Sequence, residues 1–277
     1  MKWKVYQHAL VPSCFPHENE EFLEGVAEIR NNLKLNKCYF ARYVTSFDCN
    51  EFTEWYFIVK DTPLDISLLK ANRRAIITKG LRHFSVKIID PFEYRSQLYC
   101  VLQESLEVYP AKYRVFISDE QFNQRLEDWK IRKLDCFGAF DKETGELGGY
   151  ALAYEKKLYA EYLVVKTIPR FQKKQINAAL AYHVCNKYLN EDKVKILYAG
   201  ERNIRHETNY QEYLLKNFGF RLAYCKLNIV YRPWVGICVK VLFPLRKMVK
   251  KISSFSPLFY NVSCVLRQEE IRRNFDK

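Results

Sequence analysis

Between Cys136 and Leu189 the sequence follows a rhythm that few folds accommodate. Three apolar and aromatic runs, Cys136–Phe140, Gly149–Tyr154 and Tyr159–Lys166, are separated only by the turn segments Asp141–Gly145 and Glu155–Lys157. Strands joined by turns this short must be antiparallel neighbours. The third run leads through Pro169 into Phe171–Leu189, where Ile176, Leu180, Val184 and Tyr188 recur every four residues. That period puts them on one buried face of a helix. Another apolar strand, Val194–Ala199, follows, and such a strand–helix–strand crossover makes a parallel pair. The consequence is an α/β fold with a mixed, mostly antiparallel sheet flanked by helices.

The rhythm extends from Phe84 to Arg232. Phe84–Ile89 is a strand stopped by Asp90-Pro91, and Phe92–Tyr109 is a helix ended by Pro110. Ser118 and Gln121 form a capping box that opens a helix to Ile131. Thr208 and Gln211 repeat the box before a helix ended by Gly219, a natural left-handed C′ residue. Arg221–Tyr231 closes the segment with strand alternation. Upstream, residues 2–11 alternate as a strand, and Phe22, Leu23, Val26 and Ile29 give Glu20–Leu35 helical spacing. Cys38–Phe47 and Phe52–Lys60 are expected to form a hairpin about Asp48-Cys49-Asn50. Asp65–Gly80 is expected to be a helix with Gly80 past its end. The chain thus divides into an N-terminal α+β extension (1–82, placed to cap an acceptor site), a central domain (83–232) and a basic C-terminal tail (233–277).

With 277 residues, 48% of them hydrophobic, the chain can bury a substantial core. Its nine cysteines are scattered singly and its five histidines stand apart. That pattern favours reduced thiols in a cytoplasmic protein and no metal site. Met1–Leu10 lacks the apolar core of a signal peptide, and no stretch approaches the roughly 20 apolar residues that span a bilayer. The net charge of +13 favours anionic partners.

The junction Pro169–Leu180 carries the chemistry. A helix N-terminus presents free N–H groups and about half a unit of positive charge, which suits a pyrophosphate. Lys173 and Lys174 add cationic donors beside it. Here the sequence resembles the GNAT acyltransferase superfamily, whose signature is a strand, a Pro, then Gln/Arg-x-x-Gly-x-Gly/Ala opening a helix. Gln172-Lys173-Lys174-Gln175-Ile176-Asn177 occupies that motif, and Asn209 before Gly219-Phe220 meets a second family signature. Both motif glycines are replaced, by Gln175 and Asn177.

The resemblance implies that Gln172, Lys173, Lys174, Gln175, Ile176 and Asn177 hold the pyrophosphate of acetyl-CoA or another acyl-CoA co-substrate, with Asn209 contributing. It implies that the backbone N–H groups of Leu163, Val164 and Val165 polarise the thioester carbonyl. Glu161 falls where some members place their general base, in an otherwise apolar strand. The family's acidic Tyr corresponds to Lys216, and Tyr213 lies on the same helical face as a substitute. In the loop after the Val194–Ala199 strand, Arg202 and Arg205 are candidates to read an anionic acceptor, and His206 to move a proton.

The two ends add weaker signals. Trp55-Tyr56-Phe57 followed by Arg73-Arg74-x-Ile76 resembles FemAB-type transferases, which take aminoacyl groups from tRNA. In the tail, Trp234–Phe243 is apolar and Pro244–Ile252 reads as a basic amphipathic helix, with Lys247, Lys250, Lys251 and Arg246 on one side and Leu245, Met248, Val249 and Ile252 on the other. Residues 234–252 could meet an anionic membrane surface at its inner face, or pack on the domain. Three functions remain open. The leading one is an acyl-CoA-dependent N- or O-acyltransferase acting on a small-molecule or lipid-linked envelope-precursor acceptor. The others are a FemAB-like aminoacyl-tRNA-dependent transferase and a catalytically inactive GNAT-shaped binding protein at a membrane surface.

Overall fold

The computed structural model describes the chain except for Met1, Phe22 and residues 108–115, 205–208 and 276–277. Residues 2–11 form a hairpin instead of one strand: β1 (Trp3–Tyr6) and β2 (Ala9–Pro12) pair antiparallel across Gln7 and His8. Both turn residues have positive φ, 50° and 62°, as a two-residue hairpin turn requires. Neither is Asn or Gly, so the sequence carries no turn signal there. Helix α1 (Val26–Leu35) starts at Gly25, later than the expected Glu20, whose carboxylate instead accepts from the Ser46 amide. The expected helical position of Phe22 lies outside the described residues.

Next come β3 (Phe40–Thr45) and β4 (Tyr56–Lys60). The helix expected over Asp65–Gly80 is a short 3-10 turn at Ile66–Leu68, with Asp65 accepting from the Ser67 amide, and then α2 (Ala71–His83). Gly80 therefore lies inside a helix, not past its end. β5 (Phe84–Ile89) and α3 (Arg95–Glu107) follow; the expected stop at Pro110 lies outside the described residues. Ser118 caps α4 (Asp119–Ile131) with both bonds of the capping box present. Then come β6 (Asp135–Asp141), β7 (Leu147–Lys156) and β8 (Tyr159–Thr167). The helix expected from Phe171 to Leu189 is divided into a 3-10 segment (Pro169–Lys174), α5 (Ile176–Cys185) and a π-helical turn (Asn186–Glu191). β9 (Ile196–Glu201) leads to α6 (Asn209–Phe218), whose expected cap Thr208 lies outside the described residues. Gly219 has φ 68°, the left-handed C′ conformation expected of it.

Arg221–Tyr231 is not one strand. It breaks at Cys225 into β10 (Arg221–Tyr224) and β11 (Lys226–Tyr231), which join different sheets. The tail then forms α7 (Pro233–Leu242), α8 (Arg246–Ile252) and α9 (Pro257–Phe275). None of the described helices is long and apolar enough to cross a membrane.

One sheet runs β10-β4-β9-β8-β7-β6-β5, the other β1-β2-β3-β11. The hairpin expected between β3 and β4 does not form, because each strand pairs within a different sheet. The chain makes two compact units: residues 58–200 with 209–221, and residues 1–57 with 201–208 and 222–277.

In the unit built on 58–200, β6, β7 and β8 pair antiparallel and β8 pairs β9 in parallel, as their linkers require. Gly149 and Tyr150 of β7 face opposite ways. Gly149 abuts the Ile176 side chain of α5, while Tyr150 packs its ring 5.7 Å from Trp129 of α4. Helices thus cover both faces of the sheet. Ile176, Leu180, Val184 and Tyr188 are fully buried, as their spacing predicts. Helix α2 lies against α5 so closely that a Cβ on Gly80 would sit 2.6 Å from the Gln175 carbonyl oxygen and 3.0 Å from the Ala179 nitrogen.

In the other unit, α1 buries Ile29 and Leu33 against Leu10, Ala41 and Val230. Val235, Val239, Val249 and Leu266 form a separate cluster that seats α7, α8 and α9 beside Tyr231. Glu269 anchors α9 from its buried position. Burial alone would raise its carboxyl, but Arg272, Arg273 and the Tyr231 hydroxyl at 3.0 Å hold it below the usual range.

The contact at Gly80 is backbone against backbone and cannot yield by side-chain rotation. Gly80→Ala should destabilise by about 2 kcal/mol or more, as overpacking does. Gly25→Ala, with nothing within 4 Å of the added carbon, should change the denaturation midpoint little. Urea titrations of the two variants against the parent make the comparison.

Candidate functional site

The site begins where β8 changes partners. Its register with β7 passes from Val164 opposite Leu152 to Tyr162 opposite Ala153, so Leu163 is an extra, bulged residue. A bulge leaves a backbone group out of the ladder and turns the strand. Among the described residues, β8 pairs with β9 only through Tyr159, Ala160 and Glu161, matched to Ile196, Leu197 and Tyr198. Beyond Glu161, β8 keeps β7 on one edge, and its other edge parts from β9. Leu163, Val164 and Val165 lie on that stretch and are half-buried. Their polar backbone edge is open within a sheet, a place that demands a hydrogen-bonding partner.

β8 then runs through Ile168 and Pro169 into the start of α5. Gln175 is the hinge, with φ 65° and ψ 40°. It is left-handed at the position where the family has its first motif glycine. An L-residue pays roughly 1–2 kcal/mol to sit there. The conformation is held by the Gln175 carbonyl, which accepts from Ala178 at 3.0 Å and Ala179 at 3.2 Å, and by the Gln175 amide, which donates to Gln172. Ile176 and Asn177 follow in the first turn, where an α-helix offers their amides no acceptor. Asn177 accepts from the Thr167 hydroxyl at 3.3 Å, tying the helix back to β8. Gly148 and Gly149 of β7 leave room for Phe171 and Ile176, so the turn can settle on the sheet.

The two expected cations differ. Lys173 and Gln172 are exposed at the turn. Lys174 is engaged elsewhere: its ammonium donates to buried Asp141 at 2.7 Å and reaches Glu143 at 3.4 Å, which raises its pKa. Burial alone would raise the Asp141 carboxyl. Lys174 and the amides of Glu143 and Thr144 instead hold it below the usual range. Lys174 thus fastens the junction to the β6–β7 turn.

Glu161 is half-buried and accepts from the Tyr154 hydroxyl at 2.9 Å, its cross-strand partner. Asn209 is exposed at the start of α6, which packs beside α5. Tyr213 lies inside an aromatic cluster: it stacks on Tyr210 at 5.8 Å and touches Phe218, and its buried hydroxyl has no hydrogen-bond partner among the described residues. Burial pushes its phenol far up, so releasing a proton there is costly. Tyr210 shares a 2.7 Å hydrogen bond with Tyr162 of β8. Arg202 belongs to the other unit and is committed there, donating to the Glu54 carbonyl, pairing with the Glu54 carboxylate at 3.5 Å and lying over the Tyr56 ring. Arg205 and His206 lie outside the described residues.

Three features had no sequence signal strong enough to find them. The bulge at Leu163 depends on register with β7. Tyr154 becomes the partner of Glu161 only through strand pairing. Lys166, half-buried beyond the bulge, has its ammonium pulled down by burial and by Arg125, and in sequence it is one lysine among many.

No family model and no curated protein matches the chain. Solved structures share its fold. The structure of L-PGS from Bacillus licheniformis aligns with a TM-score of 0.51 at 12% identity, covering 83% of this chain and 80% of that one. A conserved protein of unknown function from Bacteroides thetaiotaomicron aligns with a TM-score of 0.52 at 12% identity, over 74% and 73%. Solved GNAT proteins are also among the neighbours; a tandem GNAT protein from the clavulanic acid biosynthesis pathway aligns over 74% of this chain and 68% of its own, at 12% identity and TM-score 0.43. The fold is a mixed α/β sheet flanked by helices, as in the first two of these solved structures.

The Asp141–Lys174 tie has a pH signature. A carboxyl whose folded pKa is depressed contributes stability that is complete above its unfolded pKa, about 4, and is lost as pH falls through the folded value. Asp141→Asn should melt at a lower temperature than the parent at pH 7. The gap should persist down to about pH 4 and close only below it, in thermal melts followed by circular dichroism.

Proposed function

We propose that this chain is a GNAT-like transferase that takes its acyl group from a CoA thioester. The observation that carries the proposal is the parting of β8 from β9 at a bulge, on the same strand that leads into a left-handed turn and a helix N-terminus. An acyl-CoA has two matching demands: a carbonyl that needs an N–H donor and a pyrophosphate that needs several. In this reading the open amides about Leu163 meet the carbonyl. The amides from Gln172 to Asn177, with Lys173, meet the pyrophosphate, and Asn209 lies alongside on α6.

The acceptor is an amine or hydroxyl of a small molecule or envelope precursor. Its nucleophilic atom attacks the thioester carbonyl carbon, the C–S bond breaks, and CoA leaves as a thiolate that solvent protonates. Glu161, oriented by Tyr154, takes the acceptor's proton directly or through a water. Tyr213 is a poor proton source in its buried cluster and is assigned no step. Arg202, already paired with Glu54, is assigned none either.

A second reading has its own support. Gln175 and Asn177 stand where the family motif has glycines, and a side chain in place of glycine limits how closely a pyrophosphate approaches the backbone. The chain's net charge of +13 also suits a polyanionic donor such as an aminoacyl-tRNA. In that case the open edge of β8 receives an ester carbonyl instead of a thioester.

Titration calorimetry with acetyl-CoA separates the two. The first reading expects micromolar binding, tightened in Gln175→Gly, which removes the side chain and relieves the left-handed strain. No heat at millimolar ligand overturns it. Release of free thiol from acetyl-CoA should fall roughly 100-fold in Glu161→Gln with affinity nearly unchanged; equal release removes Glu161 from the mechanism. Absence of acetyl-CoA heat together with retention of aminoacyl-tRNA on filters supports the second reading.

A further inference from the structure

We propose that the outer face of α7 and α8 docks this protein on an anionic membrane surface. The inference is independent of which donor the transferase site takes. Helix α7 is held from one side by Val235 and Val239. The side turned to solvent should then be polar. It is not: Trp234 is 54% exposed, Ile237 66% and Val241 65%, and the row continues through Leu245 and Met248 at 46% and 54%. Phe255 and Leu258, at 83% and 67%, extend the apolar exposure to the start of α9. The amphipathic arrangement read from the sequence for Pro244–Ile252 is partly reversed by this packing. Val249 turns inward, and Arg246 is drawn off to Glu270 at 2.8 Å.

The charge around the row selects the occupant. Lys240, Lys247, Lys250 and Lys251 are exposed on the same two helices, and no Asp or Glu occurs between Pro233 and Gln268. A second copy docking by the same face would set these lysines against their own equivalents. A nucleic-acid backbone would satisfy the lysines and leave the aliphatic side chains without a partner. The headgroup–acyl boundary of an anionic bilayer satisfies both, taking the apolar side chains into its upper acyl region and the lysines among its phosphates. The helices are short and lie along the surface instead of crossing it.

The test is co-sedimentation of the full chain with vesicles of phosphatidylcholine alone and of phosphatidylcholine mixed with phosphatidylglycerol. Binding is expected to the mixed vesicles and to weaken at high salt. Ile237→Glu/Val241→Glu should lower the partition coefficient at least about tenfold, given the cost of placing charge in the acyl region. Lys247→Ala/Lys251→Ala should lower it roughly 25-fold, about fivefold for each charge. Thermal melts of both variants should match the parent, because all four positions are exposed. Failure of the full chain to pellet overturns the proposal, as does equal pelleting with neutral vesicles or undiminished binding of the Ile237/Val241 variant. A dimer in analytical ultracentrifugation that this variant dissociates, without any vesicle binding, overturns it in favour of self-association.

Discussion

The parting of β8 from β9 is the constraint on which the unit built on residues 58–200 turns. A parallel pair is satisfied only while both strands keep register. Here the match ends at Glu161, where β8 takes up an extra residue against β7. The sheet does not fall apart, because β8 stays paired antiparallel with β7 from Tyr159 to Thr167 on both sides of the bulge at Leu163. One edge carries the stability, and the other parts from β9. Polar backbone groups opened inside a sheet are costly unless they are paired, so such an opening is characteristic of a site and not of a resting core.

The junction that follows is braced from several sides. Gln175 sits in a left-handed conformation without the glycine that would make it easy. Three features hold it: the hydrogen bonds of its own carbonyl, the close approach of α2 at Gly80, and the glycine pair Gly148-Gly149 beneath Phe171 and Ile176. Lys174 adds an ionic tie to buried Asp141. A strained turn braced by rigid backbone contacts keeps its amides in one place, which is what a phosphate-binding turn needs.

The C-terminal segment shows how packing redistributes an amphipathic pattern. Val235, Val239 and Val249 turn inward and Arg246 finds Glu270, so the surface that remains sets exposed Ile237, Val241 and Met248 beside exposed Lys240, Lys247, Lys250 and Lys251. Sequence periodicity identifies helices and their two sides, but which side faces water depends on the neighbours. Here α9, anchored through Glu269, Tyr231, Arg272 and Arg273, supplies that neighbour.

The sequence by itself determined the antiparallel run β6–β7–β8, the crossover through α5, the capped α4 and the left-handed Gly219. Each of these rests on local signals: tight turns, a four-residue apolar period, a capping box and a residue without a Cβ. It also located the strand-to-helix junction at Pro169–Leu180, because a Pro between strand and helix is a local mark. Only the tertiary structure decided that β3 and β4, like β10 and β11, belong to different sheets, that Gly80 serves close packing, that Lys174 is bound to Asp141, and that Leu163 is bulged. These depend on register and on residues far apart in the chain. A one-residue slip in pairing reverses which side chain faces which way, and no periodicity within a single strand records its partner.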